Sequence, residues 1–260
     1  MLGLVQSLKN TLAPINRIPP EVLSLIPDHL DEGEYDKSLI TVTHVCHGWR
    51  DAFTSRSSLW TRLHFTNVDK TRTYIQRSRT SPLNIFLHKA KGASYLDDAF
   101  SLVIPHIRRI KLLIVYAETL PSILTHFHCH IPLLEGLAIV KVDTENAGTD
   151  DVLDGAFCGG DLSSLHKLHM YGVTTQLPWK NLANLRLFKL TCRHPEHNVT
   201  RLLDFFESAP LLHTVQLRGS IPGSSDAPAN RTVSLPHLNS LYIAANAPHA
   251  ITFVFQPGHP

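Results

Sequence analysis

The apolar residues of the chain fall into two textures. Between positions 15 and 65 they recur at helical spacing. Ile18-Pro19-Pro20-Glu21 opens a first helix. Proline suits a first turn, where its missing N–H had no partner, and Glu21 sits where the helix dipole favours negative charge. Val22, Leu23, Ile26 and Leu30 follow as an apolar stripe. Pro27 inside the stretch predicts a break near Leu25 or Ile26. Asp31-Glu32-Gly33-Glu34 reads as a polar loop, and a second helix is predicted from about Lys37 to Phe53. Its apolar positions are Leu39, Val42, Val45, Cys46, Trp49 and Phe53, and Leu59 and Trp60 come after a short Ser/Arg linker. Two short helices bury little alone, and each large side chain withheld from water is worth roughly 1.5–3 kcal/mol. A partner surface is therefore a reasonable destination for whatever such a hairpin leaves uncovered.

After residue 66 the texture becomes a repeated phrase, apolar-x-x-apolar-x-apolar. It is carried by Ile107, Ile110 and Leu112; Leu134, Leu137 and Ile139; Leu165, Leu168 and Met170; Leu185, Phe188 and Leu190; Leu212, Val215 and Leu217; and Leu238, Leu241 and Ile243. Trp60, Leu63 and Phe65 make a weaker copy, and Leu83, Ile85 and Leu87 alternate as a further strand. The copies start 20 to 31 residues apart, in or near the period of about 20–29 residues that marks leucine-rich repeats. In each phrase the last two apolar side chains share one face of a strand and the residue between them faces out. One unit cannot cover its apolar face, but parallel neighbours can. Leu120 to His128 and Arg201 to Glu207 read as helices between strands, the second with Asn198 or Thr200 as cap and Ala209-Pro210 as stop. The outward residues of the phrases, Lys111, Ala138, His169, Lys189, Gln216 and Tyr242, are the candidates for holding a target. Taken one at a time, each also fits a plain solvated strand position. The phrases lack a regular Asn or Cys after the strand, so a generic α/β sheet protein stays an alternative.

The N-terminal block resembles the F-box. Ile18-Pro19-Pro20-Glu21-Val22-Leu23, then Val45-Cys46-His47-Gly48-Trp49-Arg50, then Leu59-Trp60 keep the order of that family's pattern. Residues 68 to 83 are similar to the stretch directly after the F-box in many fungal members. Ile18 stands where the family usually has Leu, and Pro27 and the long acidic loop are further departures. The resemblance implies docking on the Skp-type adaptor of an SCF ubiquitin ligase. Carried onto this chain, it implies contacts drawn from Pro19, Pro20, Glu21, Val22, Leu23, Ile26, Leu39, Val42 and Val45, with Cys46, Trp49 and Trp60 in the module's own core. The expected fold is α/β: a small helical F-box module, then an irregular leucine-rich-repeat-like solenoid of parallel strands and helices. Residues 1–14 form an extension, 15–65 the F-box-like domain and 66–260 the repeats. Pro222 to Asn230 reads as a loop rich in Gly, Ser and Pro, and the ending Pro257-Gly258-His259-Pro260 does not read as a capping helix, so the chain is expected to be either a short family member or truncated there.

Composition narrows the functions. Hydrophobic residues are 43% and charged residues 18% of the chain, enough to bury a core. A net charge of +2 is too small for a nucleic-acid footprint, and Arg108, Arg109 and Lys111 read as a solvated strand edge. Cys46, Cys129, Cys158 and Cys192 lie far apart with no C-x-x-C pair, which predicts reduced thiols in the cytosol or nucleus. The apolar stretch of Met1 to Ala13 is too short and broken for a signal-peptide core, and no apolar run reaches the length of a membrane span. The sequons at Asn198 and Asn230 then read as chance. G-x-S-x-G, the phosphate-binding loop, G-x-G-x-x-G and H-E-x-x-H are all absent. His126-x-His128-Cys129-His130 offers metal-binding side chains, but the stretch reads as a helix end, and His194-Pro195-Glu196-His197 reads as a turn. No catalytic, cofactor or metal site is expected. The leading expectation is a substrate-recognition adaptor; the alternatives are a repeat scaffold unconnected with ubiquitination and a divergent enzyme with a dispersed site.

Overall fold

The repeated phrase becomes a row of parallel strands. The computed structural model describes residues 12–23, 25–26, 35–89, 95–118, 125–142, 151–153, 157–175, 181–192, 199–219 and 232–245. The expectations for Pro27–Glu34, Leu120–Leu124, His194–His197, Asn198, Pro222–Asn230 and Pro257–Pro260 lie outside these residues.

The described elements open with a 3-10 turn at Pro14–Arg17 and the one-turn helix α1 (Pro20–Leu23), followed by α2 (Tyr35–Val42), α3 (His47–Ser55) and a 3-10 turn at Ser57–Trp60. The first strand, β1 (Arg62–His64), leads through α4 (Val68–Ser78) to β2 (Leu83–Lys89). Then come α5 (Tyr95–Val103), a 3-10 turn at Ile104–Arg109, β3 (Ile110–Ala117), β4 (Gly136–Lys141), β5 (Asp151–Leu153), β6 (Lys167–Tyr171) and β7 (Val173–Thr175). The described chain closes with β8 (Leu187–Cys192), α6 (Val199–Glu207), β9 (Thr214–Gly219) and β10 (Ser240–Ala245). Among the described residues the main sheet has eight strands in the order β1-β2-β3-β4-β6-β8-β9-β10, and β5 and β7 form a separate pair. All pairings are parallel. A parallel pair needs a crossover, which α4, α5 and α6 supply where helices are described.

The single helix expected from Lys37 to Phe53 is two helices. Thr41 and Thr43 turn their hydroxyls back to the carbonyls of Lys37 (2.8 Å) and Ile40 (2.7 Å). Cys46 is fully extended (φ −160°, ψ 175°) and starts α3 afresh. The Arg50 guanidinium donates to the Thr43 carbonyl at 3.0 Å, covering a group freed by the break. Side chains that bond the backbone locally compete with a continuous helix.

Register fixes the sheet's two faces. Leu63, Ile85, Leu113, Leu137, Leu168, Phe188, Val215 and Leu241 line up across the strands on the inner face. One phrase is displaced from its expected place. In β3 the buried positions are Ile110, Leu113, Val115 and Ala117, the first three lying three residues after those read from the sequence. Ile104–Arg109 is a tight 3-10 turn carrying Pro105, so the strand starts later. Lys111 is consequently not an outward mid-strand residue; Ile114 is. Behind the sheet the aromatic rings of Phe65, Phe100, Phe127 and Phe157 succeed one another at centroid distances of 5.4, 5.7 and 6.3 Å. Phe65 follows β1, Phe100 belongs to α5, and Phe127 and Phe157 belong to 3-10 turns. The Asn67 side chain caps α4 by accepting from the Asp69 and Lys70 amides at 2.8 and 3.1 Å.

Candidate functional site

Two surfaces answer to the sequence candidates. The first is the helical block before β1. Leu23, Tyr35, Leu39, Phe53, Leu59 and Trp60 are buried there. The Trp60 indole donates to the Phe53 carbonyl at 2.9 Å and the Tyr35 hydroxyl to the Leu59 carbonyl at 3.3 Å. Outside this core, Leu12, Ile15, Val22, Leu25, Ile40 and Val45 are 39–69% exposed. Among the described residues, most of the large exposed apolar side chains thus come from this one segment. Of the residues expected to contact an adaptor, Pro19, Pro20, Glu21, Val22 and Val45 lie on the surface, and Ile26 and Val42 are half-buried. Leu23 and Leu39 are in the core, where a partner would not reach them without rearrangement. Cys46 and Trp49 are half-buried, Trp60 fully buried.

This block is fastened to the sheet by contacts that the hydrophobic pattern did not signal. The Lys70 ammonium lies 2.6 Å from one Asp36 carboxylate oxygen, and the Tyr74 hydroxyl donates to the other at 3.1 Å. Burial, and then the charge of Asp36, push the Tyr74 phenol far above its ordinary range. The Arg62 guanidinium sits 4.4 Å from the Tyr35 ring centroid and that of Arg77 4.2 Å from the Trp60 ring. Cation–π contacts of this kind add about 0.5–2 kcal/mol each.

The second surface is the outward face of the sheet. Ala138, His169, Lys189, Gln216 and Tyr242 form one continuous cross-strand row. The row continues through Ile114 and Phe86 to His64. Lys111 lies off it, with its ammonium 3.1 Å from Glu135. The half on β1–β3 is aromatic: His64 stacks on Phe86 at 4.6 Å and His88 on Tyr116 at 4.7 Å. The half on β6–β10 is polar. A depression of about 200 Å³ there is lined by His169, Lys189, Thr191, Gln216 and Arg218. Burial, and then the neighbouring Lys189, hold the His169 imidazole below its usual range.

The other sequence candidates disperse. His126 stacks on Phe100 at 4.5 Å, while the His130 ring nitrogen lies 4.0 Å from Asp161. Among the described residues no group of three His, Cys, Asp or Glu side chains is placed to hold a metal ion. Cys158 is buried, and burial followed by the nearby Cys129 pushes its thiol up. Arg109 is tethered to the Ser81 carbonyl at 2.7 Å and the Ser78 hydroxyl at 2.9 Å. No described helix is long and apolar enough to cross a membrane.

A family model described as F-box-like matches residues 15–66. The helical block is thus an F-box-like domain, and the matched segment includes β1, the first strand of the sheet. No curated protein matches the chain.

Proposed function

We propose that this chain is a substrate-recognition adaptor of an SCF-type ubiquitin ligase. Its F-box-like domain would dock on a Skp-type adaptor while the sheet holds a target protein. The chain contributes proximity and no catalytic group. The observation that carries the reading is the exposure of Ile15, Val22, Leu25, Ile40 and Val45, with Leu12 just ahead of them, around a buried core of the same small domain. Apolar surface of that kind, concentrated in one segment, marks an interaction site. The docking residues on this reading are Pro19, Pro20, Glu21, Val22, Val45 and the half-buried Ile26 and Val42. Leu23 and Leu39 support them from within. Residues 66–260 act as a leucine-rich-repeat-like solenoid of fungal type, with β1 shared between the two parts. The phrase that recurs on successive parallel strands supports that view. We place the chain in the cytosol or nucleus, where such ligases work.

The test is capture of the full chain by a purified Skp-type adaptor. Val22→Asp combined with Val45→Asp places two charges on the exposed face and replaces no core residue. Capture should weaken at least tenfold, with an unchanged thermal midpoint. Undiminished capture by that folded variant refutes the docking claim.

A further inference from the structure

The strands β6, β8, β9 and β10 contain no aspartate or glutamate. Their outward positions carry Lys167, Lys189 and Arg218 instead. The register arranges these three on a diagonal. Lys167 is level with Leu187 of β8, and Lys189 stands two residues further along that strand. Lys189 is level with Gln216 of β9, and Arg218 stands two residues beyond it. Each step is therefore one strand across and two residues along, roughly 8 Å between backbones and about 16 Å from end to end. Among the described residues none of the three has an ion-pair partner, and the nearby Glu135 is taken by Lys111. The Arg218 guanidinium rests 5.0 Å from the Tyr242 ring centroid, which steadies the fork while leaving its edge free. Thr191, Gln216 and His169 add neutral hydrogen-bonding groups in the depression between Lys189 and Arg218.

We propose that this diagonal is a docking site for an acidic, extended segment of a partner polypeptide; the inference rests on reading the sheet face as the target-binding surface. Alternate side chains of an extended chain point the same way at intervals of roughly 7 Å. Carboxylates at alternate positions therefore match the cation spacing within the reach of lysine and arginine side chains. A single oxyanion meets at most two of the three cations, so a run of charges is the better complement. Arg218 supplies the planar, two-pronged donor that a carboxylate accepts, and the floor beneath it offers donors without a competing acid.

The experiment uses the purified full chain and labelled peptides read by fluorescence anisotropy. The probes are an alternating Glu-Ser peptide, its Gln-Ser and Lys-Ser counterparts, and the Gln-Ser peptide bearing one phosphoserine. The Glu-Ser peptide should bind at least tenfold tighter than the Gln-Ser peptide and weaken as salt rises. Lys189→Met and Arg218→Gln should each reduce its affinity about fivefold or more, whereas Arg108→Gln, an equal loss of charge elsewhere, should not. Equal binding of the Gln-Ser peptide, indifference to both sheet variants, or an equal loss from Arg108→Gln overturns the proposal. Tighter binding of the singly phosphorylated peptide overturns it in favour of a single-phosphoryl site. Capture by the Skp-type adaptor, measured on the same variants, keeps the two claims apart. If capture fails while acidic peptides still bind, only the docking claim falls; if capture persists without acidic-peptide binding, only this one does.

Discussion

Asp36 on α2 and Lys70 on α4 meet across the joint between the F-box-like domain and the sheet, ammonium to carboxylate at 2.6 Å. Their side chains are only 22% and 25% exposed, and Tyr74 takes the other carboxylate oxygen. One acidic residue of the helical block thus receives both a charge and a hydroxyl from the first crossover helix. With Arg62 over Tyr35 and Arg77 over Trp60, it fixes where the exposed helical face sits relative to the strands. If the chain holds two partners at a set separation, as proposed above, that joint is as consequential as either surface.

Asp36→Asn keeps the shape of the side chain and removes its charge. We expect about 1–2 kcal/mol of destabilisation, between an exposed pair and a charge-assisted buried hydrogen bond. The Tyr74 phenol should also titrate lower, because the anion that opposes its ionisation is gone. A double-mutant cycle with Lys70→Met, read by urea denaturation, should return a clear coupling energy. Strict additivity would show that the joint is held by packing alone.

Trp60 belongs to the last piece of the F-box pattern, yet it is fully buried. Its indole bonds the Phe53 carbonyl, and its ring stands edge-on to Tyr74 at 5.0 Å. Trp60→Phe leaves that carbonyl unsatisfied and a gap beside Tyr74. The expected cost is roughly 2–4 kcal/mol, visible as a lower denaturation midpoint. Adaptor capture at low temperature should persist, since the residue touches no exposed face.

The inner face was legible because Leu, Phe and Val at fixed spacing can satisfy only one strand register. Leu185, Phe188 and Leu190 are buried as their phrase requires. Along Ile110-Lys111-Leu112-Leu113-Ile114-Val115 the expected register is displaced because almost every position there is apolar. Alternation then cannot tell which side faces in, and the 3-10 turn ahead decides it. The break after Val42 was hidden for a related reason: the apolar period runs through it, while the threonine hydroxyls that divert the backbone carry no periodic signal. The Asp36 joint was out of reach, since partners 34 and 38 residues away are set by the stacking of α4 on the sheet. On the F-box-like surface the residue types were readable, but Leu23 and Val22 are neighbours on one short turn, and only packing separates the buried one from the exposed one.

Gly172 links β6 to β7 with φ +63°, and a Cβ there would lie 3.1 Å from the Lys141 Cβ. Gly172→Ala should cost about 1–3 kcal/mol, from left-handed backbone strain and that close approach. Gly48 in α3 has nothing within 4 Å of its added Cβ. Gly48→Ala should therefore stabilise by about 0.5–1 kcal/mol, because alanine loses less entropy in a helix. Opposite signs of the two midpoint shifts are the expected result; shifts of the same sign would contradict the backbone geometry at one of the sites.

Acid should destabilise the fold through three histidines. His64, His106 and His169 are each held below the ordinary imidazole range of about 6.5, in every case chiefly by burial. Lys189 adds to the effect at His169 and Arg109 at His106, while Asp36 partly opposes it at His64. The folded state therefore binds fewer protons than the unfolded chain on the acid side of neutrality. Stability is full above the unfolded value and declines as pH falls through it, until the folded groups also protonate. The thermal midpoint should drop between about pH 7.5 and 5.5, ahead of the carboxylate range. His64→Gln and His169→Gln together should flatten that slope: with neutral amides in both places the unfolded chain has two fewer protons to gain. A midpoint independent of pH in this window, or a slope that survives both substitutions undiminished, would show that these imidazoles are as freely protonated in the fold as in water.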